Sequence, residues 1–401
     1  MRDLIKGIVS SFCQQDLMDK VPKINNRFVG AILDFVIERQ TDFKFPSLLN
    51  RKHFFPIQNK RVVNLRTGIV EQRTKEHLCS FERPVELLAP DHPLENATKF
   101  FRDIMCGDEK MVDYMQSMCG SLLTPDRVKG GEGPYIAWDV EGSNAQSAWA
   151  NLLRLIMGPF YANASKAVFI KRVAPRAGAP TPHLIPLVDA RVAVCSEIDR
   201  ESMLDKKFLA RWGGGDPITA RPKHGREFTF LPMAKLCLMC NHKPKLDGGD
   251  QALKDQIRVI PFQARFVDHS NAEAKNEAKK DPMLETKHLS EVFTWMVRGA
   301  VSFYARNQTS PSPPESMVEA QRGYFEENDV VQRFLDTQCE TGDSSFRTPR
   351  TKLYQAFEKW AKQRDPTVMR SSTFYETLNA KNFKQSKIRG KRFISGVRLR
   401  E

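Results

Sequence analysis

Residues 135–153 read YIAWDVEGSNAQSAWANLL: an apolar, strand-like run, a turn at Gly142, and a Ser that opens a helical stretch. Phosphate-binding loops share that layout, because backbone N–H groups at a helix N-terminus cradle phosphate while a Gly-Lys-Ser/Thr step adds a charged clamp. Here Ala145-Gln146 stands where Gly-Lys is required, so the turn keeps its backbone donors and Ser147 but not the lysine. Glu141 puts an anion beside it.

Two further apolar runs end in groups suited to the same chemistry. RVAVCSEIDRE reaches Glu197, with Asp199 close behind, where carboxylates hold Mg²⁺ and orient an attacking water. AKLCLMCNHKP ends in Asn241, a side chain able to sense a terminal phosphate, although Asn is also an ordinary turn residue. Neither is diagnostic alone, and their weight comes from order and spacing. Between them lies WGGGDPITARPKHGREFTF, which gathers Arg221, Lys223, His224 and Arg226 in a short loop between β-like runs. Such a loop is either a solvated turn or a hairpin that follows a nucleic-acid backbone. Cys237, Cys240 and His242 have part of a zinc pattern, but a closed site needs four ligands, and residues three apart on a strand face opposite ways. The pair reads as core.

Charge favours the nucleic-acid reading of the loop. Of 401 residues, 62 are Lys or Arg against 48 Asp or Glu, a formal net charge of +14, more common among nucleic-acid binders than metabolic enzymes. With 41% hydrophobic residues the chain can bury a full core. Its start, MRDLIKGIVSSFCQQDLMDK, lacks the apolar centre of a signal peptide, and no apolar run is long enough to span a membrane. Eight cysteines, scattered apart from one pair, suit a reducing, intracellular compartment.

The elements that must position these groups follow from periodicity. Residues 1–50 read as helical, HFFPIQNKRVVNLRTGIVEQ as two β-like runs around Arg66-Thr67-Gly68, and residues 94–124 as helix punctuated by Gly107 and Gly120. From Pro134 to Phe262, apolar runs alternate with helical segments, which predicts an α/β layer with a largely parallel sheet. A helix over 286–306 precedes NQTSPSPPESM, a Ser/Pro linker. Three amphipathic helices and a basic hairpin turning at Gly390 or Gly396 then describe a winged helix-turn-helix, with Phe334, Leu335, Leu353, Phe357, Trp360, Phe374 and Leu378 as its core. Lys387, Arg389, Lys391 and Arg392 make its wing basic.

Taken in order, VNLRTG, MVDYMQSMCGSLLT, RVAVCSEIDRE, GGGDPITARPKHGREFTFLP, LCLMCNHKP, IRVIPFQARF and ENDVVQRFL resemble the superfamily 3 helicases. The likeness is to the helicase part of phage and plasmid primases and of the poxvirus-type primase–helicases of large DNA viruses. It covers roughly residues 50–401, so the expectation is the helicase half without the amino-terminal primase domain of longer relatives. The resemblance implies an AAA+-like P-loop NTPase core in a ring, usually a hexamer, that uses ATP and Mg²⁺ at subunit interfaces. Single-stranded DNA would occupy the channel beside Arg221, Lys223, His224 and Arg226.

By position, the resemblance puts Gly142, Ser143, Asn144, Ala145, Gln146 and Ser147 on the Walker A loop, Glu197 and Asp199 on Walker B, and Asn241 on the sensor strand. Ser147 and Glu197 would hold Mg²⁺. Two departures stand out: Gln146 replaces the phosphate lysine, and Asp255-Gln256 falls where relatives carry an arginine pair that serves the neighbouring subunit. Both remove positive charge from one transition state, and Lys166, Lys171 or Lys254 are candidates to compensate.

The expected organisation is an N-terminal helical domain with a small β element (1–120, β element 48–90), an ATPase-like core (121–306), a linker and helix (307–327) and the winged helix (328–401). The expected protein is a viral or mobile-element, DNA-binding helicase homologue of replication or genome packaging with an impaired or lost ATPase, at a viral replication site or in the virion. Its rivals are an active helicase using a displaced lysine and an inactive subunit that joins an active helicase. Duplex DNA at the wing and a separate primase complete the expected partners.

Overall fold

The computed structural model describes residues 49–131, 133–138, 145–171, 179–196, 198, 202–246, 251–267, 277–279, 287–363, 368–388 and 390–400. The chain divides into two compact units, Met1–Lys52 with Thr74–Ser80, and His53–Arg73 with Phe81–Glu401. In the first, Asn50 clasps the second segment: its N–H donates to Leu78 O at 2.8 Å and its Nδ2 to Ser80 Oγ at 2.8 Å, while Ser80 N–H returns a bond to Oδ1 at 3.0 Å. The helix expected over 1–50 lies almost wholly outside the described residues.

The second unit opens with an antiparallel meander, β1 (Phe54–Ile57), β2 (Arg61–Asn64) and β3 (Val70–Gln72). Sequence reading gave two runs here, and the structure gives three. Asn59 and Lys60 take left-handed φ of 63° and 53° and turn the chain inside what looked continuous, and Gly68 at φ 75° makes the second turn.

Helices α1 (Glu95–Ile104) and α2 (Glu109–Leu123) follow, then β4 (Tyr135–Trp138), α3 (Gln146–Met157), β5 (Tyr161–Asn163), β6 (Val192–Cys195), α4 (Lys206–Gly214), β7 (Ile218–Ala220), β8 (Phe228–Phe230), β9 (Lys235–Cys240), α5 (Gln251–Gln256) and β10 (Arg258–Pro261). A short parallel pair, β11 (Arg265–Val267) with β12 (Glu277–Lys279), precedes α6 (Leu289–Ala305) and α7 (Glu315–Asn328). Gly107, at φ 79°, separates α1 from α2 as expected. Gly120 does not punctuate: it lies inside α2, where an added Cβ would overlap the backbone of Gly299 and Ala300 in α6, and one on Gly299 would overlap Gln116 O. Close helix approach, not termination, explains it.

Five strands form one parallel sheet in the order β10-β4-β9-β6-β5. Their side chains alternate between two cores. Tyr135, Ala137, Val192, Val194, Cys237 and Met239 join α1, α2, α3 and α6, whereas Ile136, Ala193, Cys195, Leu236, Leu238 and Cys240 join α4 and Tyr324 of α7. Burial on both faces is why β4, β6, β9 and β10 read as apolar runs, whereas β5, at the edge, is only partly buried.

Residues from Val331 to Leu399 have a third core of their own. It lies among α8 (Val330–Gln338), α9 (Arg350–Lys362) and α10 (Ser371–Ala380) and includes all seven residues expected from periodicity. Two short strands went unread in the sequence, β13 (Cys339–Thr341) and β14 (Arg347–Pro349), while the last strand follows Gly396, the second of the two expected turns. The basic hairpin is β15 (Gln385–Ile388) with β16 (Lys391–Ser395), turning at Gly390; β16 also pairs with β14, and β17 (Val397–Leu399) with β13. Among the described residues no helix is long and apolar enough to cross a membrane.

Candidate functional site

Because the five strands are parallel, their carboxyl ends share one edge, and β4 sits between β9 and β10 at the point where the order reverses, the usual location of a ligand crevice in open α/β sheets. Ala145 is the residue before α3 and holds φ 65° and ψ 8°, a left-handed conformation unusual for a residue with a Cβ. Gln146 follows and is only 6% exposed. Its Nε2 donates to Ala137 O at 3.2 Å, so the amide is directed back along β4. Ser147 is exposed on the first turn of α3, and Asn241 is exposed directly after β9. Gly142, Ser143, Asn144, Glu197 and Asp199 lie outside the described residues.

The candidate compensating lysines are spread out. Lys166 is exposed in a 3-10 turn, Lys171 gives its backbone N–H to Met203 O at 2.7 Å, and the Lys254 ammonium stands 5.5 Å from the Phe325 ring centre. Sequence reasoning passed over Lys243. Its ammonium lies 4.0 Å from the ring centre of Trp138, the last residue of β4, and 2.6 Å from Glu327 Oε1, with a side chain only 15% exposed. The signal was present in NHKP, which puts a lysine two residues beyond Asn241. Lys243, Lys245 and Arg333 line a cleft of about 540 Å³ with Glu326, Glu327 and Asn328.

Asp255 and Gln256 end α5. The Gln256 carbonyl accepts from Gly133 N–H at 2.9 Å, and Arg258 donates to Ile257 O at 3.2 Å and to the Asp255 carbonyl. This corner is tied to the segment entering β4.

The basic loop joins β7 to β8, an antiparallel hairpin in register Ile218↔Phe230, Thr219↔Thr229 and Ala220↔Phe228. Arg221, Lys223, His224 and Arg226 are all exposed, and His224 takes φ 62° at the tip. The hairpin is anchored at both ends. Arg221 N–H donates to Thr181 Oγ1, and Thr181 N–H to Arg221 O, each at 2.8 Å. At the foot, Arg127 donates to Pro232 O at 3.1 Å and Gly213 O at 2.6 Å, and Trp212 Nε1 to Ala234 O at 2.8 Å.

In the C-terminal region Lys387 faces Arg392 across the β15–β16 ladder, with Lys391 beside them, all exposed; Arg389 lies outside the described residues. Like charges directly opposite repel, so this hairpin is set to gain from a polyanion. Cys237 and Cys240 separate as strand geometry requires, one into each core. Desolvation by burial pushes the Cys240 thiol up to about 12, away from ready ligation. Among the described residues no three His, Cys, Asp or Glu side chains gather as a metal site.

Residues 326–397 match the family model described as Poxvirus D5 protein-like. A provisionally named helicase, L207/L206 of Acanthamoeba polyphaga mimivirus, is 23% identical over 84% of this chain and 36% of its own length. Another, 022R of Frog virus 3, is 24% identical over 68% of this chain and 28% of its own. The chain thus spans about a third of the length of the curated relatives it matches. Among solved structures it is similar to the apo A form of the NrS-1 C-terminal region, at TM-score 0.46 and 11% identity, covering 82% of this chain and 80% of that one.

Proposed function

We propose that this chain, which belongs to the poxvirus-type primase–helicase family of large DNA viruses, is a helicase-like DNA-binding protein of viral DNA replication whose ATPase is impaired. The sheet order supports a P-loop core over 121–306: the carboxyl ends of β4, β6 and β9 lie on one edge. Three helices with the β15–β16 hairpin support a winged helix over 328–401, and the exposed Lys387, Lys391 and Arg392 support duplex contact there. Residues 1–120 would form the collar of a homo-oligomeric ring, a hexamer by family resemblance, with residues 307–327 as the connection.

ATP with Mg²⁺ is the cofactor that the family implies, and the described residues do not fit a triphosphate held in the usual way. The observation that carries this reading is Gln146, which is uncharged, buried and bonded to its own strand at the phosphate-lysine position. No finger charge stands at Asp255-Gln256 either. One observation favours an active rival: Lys243, against Trp138, is a cation at the edge where a displaced lysine would be needed.

The function left to such a core is to assemble and to hold single-stranded DNA through Arg221, Lys223 and Arg226, whose phosphate contacts release counterions. In titrations of the full chain with oligothymidylate, changing all three to Ala should lower affinity and reduce the salt slope by about 2, at roughly 0.7 per phosphate contact. An unchanged slope returns the loop to a solvated turn. Robust hydrolysis of ATP, stimulated by single-stranded DNA, would instead establish the displaced-lysine helicase.

A further inference from the structure

We propose that Phe228 is a stacking platform for the bases of single-stranded DNA at the loop end of the β7–β8 hairpin. The inference rests on the single-strand reading of that hairpin and adds the part that meets bases instead of phosphates. Alternation along the hairpin puts Ile218, Ala220, Phe228 and Phe230 on one face. Three of these are 3%, 1% and 7% exposed for Ile218, Ala220 and Phe230, whereas Phe228 is 37% exposed. Its cross-strand partner, Ala220, is the reason: a methyl group leaves the large ring opposite it uncovered.

One exposed apolar side chain is unremarkable by itself. Phe228, however, ends an aromatic file that runs through the buried Trp212. Ring centres are 5.6 Å apart from Phe208 to Trp212, 6.2 Å from Trp212 to Phe230 and 6.1 Å from Phe230 to Phe228. Trp212 is buried and fixed through its Nε1, so the outermost ring packs at the end of a file that is anchored in the core. Arg226 lies two residues away, and Arg221 and Lys223 are on the loop that follows Ala220. An aromatic face beside a basic loop suits a strand whose phosphates meet the loop and whose bases lie on the ring, a contact worth about 5- to 150-fold in affinity per base.

The test uses the full chain with Phe228→Ala, Phe228→Leu and Phe228→Trp, and two labelled strands of equal length: oligothymidylate and the same phosphodiester backbone without bases. Fluorescence anisotropy at two salt concentrations gives affinity and slope. Alanine and leucine should weaken oligothymidylate binding by about 5- to 150-fold, tryptophan should retain it, the abasic strand should bind every variant alike, and salt slopes should not change. An unaffected alanine variant, equal losses on both strands, or full affinity with leucine would overturn the platform while leaving the phosphate reading intact. If the unmodified chain binds neither strand at low salt, both readings fall, and the exposed aromatic surface belongs to a protein partner.

Discussion

The side-chain amide of Gln146 donates to the carbonyl of Ala137, nine residues back along the chain and inside β4, at 3.2 Å. The residue that the family resemblance puts in the phosphate-clamp position is therefore part of the strand's own bonding, a neutral group facing inward.

A purified chain is accordingly expected to hydrolyse ATP at or near background. The combined variant Ala145→Gly, Gln146→Lys, Asp255→Arg and Gln256→Arg restores both cations and should raise turnover, since a finger arginine is typically worth about 10³–10⁵ in rate. Phosphate release with and without single-stranded DNA measures both proteins. Turnover by the unmodified chain that disappears in Lys243→Ala would assign the missing charge to Lys243.

Ala145→Gly alone tests the backbone. Ala145 sits at φ 65°, where a Cβ is strained and glycine is not, so the substitution should stabilise the fold by about 1 kcal/mol. A thermal-melting series reads the sign. A lower melting temperature would mean that the turn does not hold this conformation in solution.

Glu291 on α6 caps a helix nearly two hundred residues away. Its carboxylate accepts from Asn96 N–H at 2.7 Å, Ala97 N–H at 3.1 Å and Asn96 Nδ2 at 3.0 Å, while Leu94, at the N-cap of α1, offers no side-chain acceptor. Glu291→Ala leaves these donors unpaired and should cost about 1–3 kcal/mol, seen as a lower urea midpoint, with Glu291→Gln losing less. Equal midpoints for the three proteins would remove the cap from the account.

The buried thiols give a pH dependence of known sign. Burial raises Cys119 and Cys240 from 9.0 to about 12 in the folded chain, so folding favours their neutral forms. Their contribution is intact below about pH 9 and is lost as pH rises toward 12. Iodoacetamide at pH 8 should therefore label the half-buried Cys79 and Cys106 well before either of them in the native protein. Early labelling at Cys240 would show that the strand edge opens readily.

What the sequence disclosed follows from how much each feature depends on neighbours. The parallel strands were legible because both faces are buried, which leaves unbroken apolar runs such as LCLMC, and the third core was legible because helical spacing marks Phe334, Phe357 and Phe374 locally. Gly120 was misread because a glycine that ends a helix and one that admits a second helix are identical in one dimension. Strands β13 and β14 are three residues each, too short for a period to register. At the candidate site, residue types disclosed a turn without its lysine, but not that Gln146 bonds to Ala137, that Lys243 reaches Trp138, or that Phe228 continues a file from Trp212. Each of those is a meeting between separate segments.

The crossing of α2 and α6 at Gly120 and Gly299 has a genetic consequence. Each position excludes even a methyl group because backbone of the opposite helix fills the space, so every codon change that alters either residue, including the single-base steps to alanine, serine or valine, meets the same obstruction. No repacking of side chains relieves it, since the obstructing atoms are main chain. In a saturation library selected for folded protein, these two sites should therefore return glycine almost alone, while flanking core positions accept exchanges among apolar residues of similar volume. The seam is a point at which drift is blocked on both helices at once.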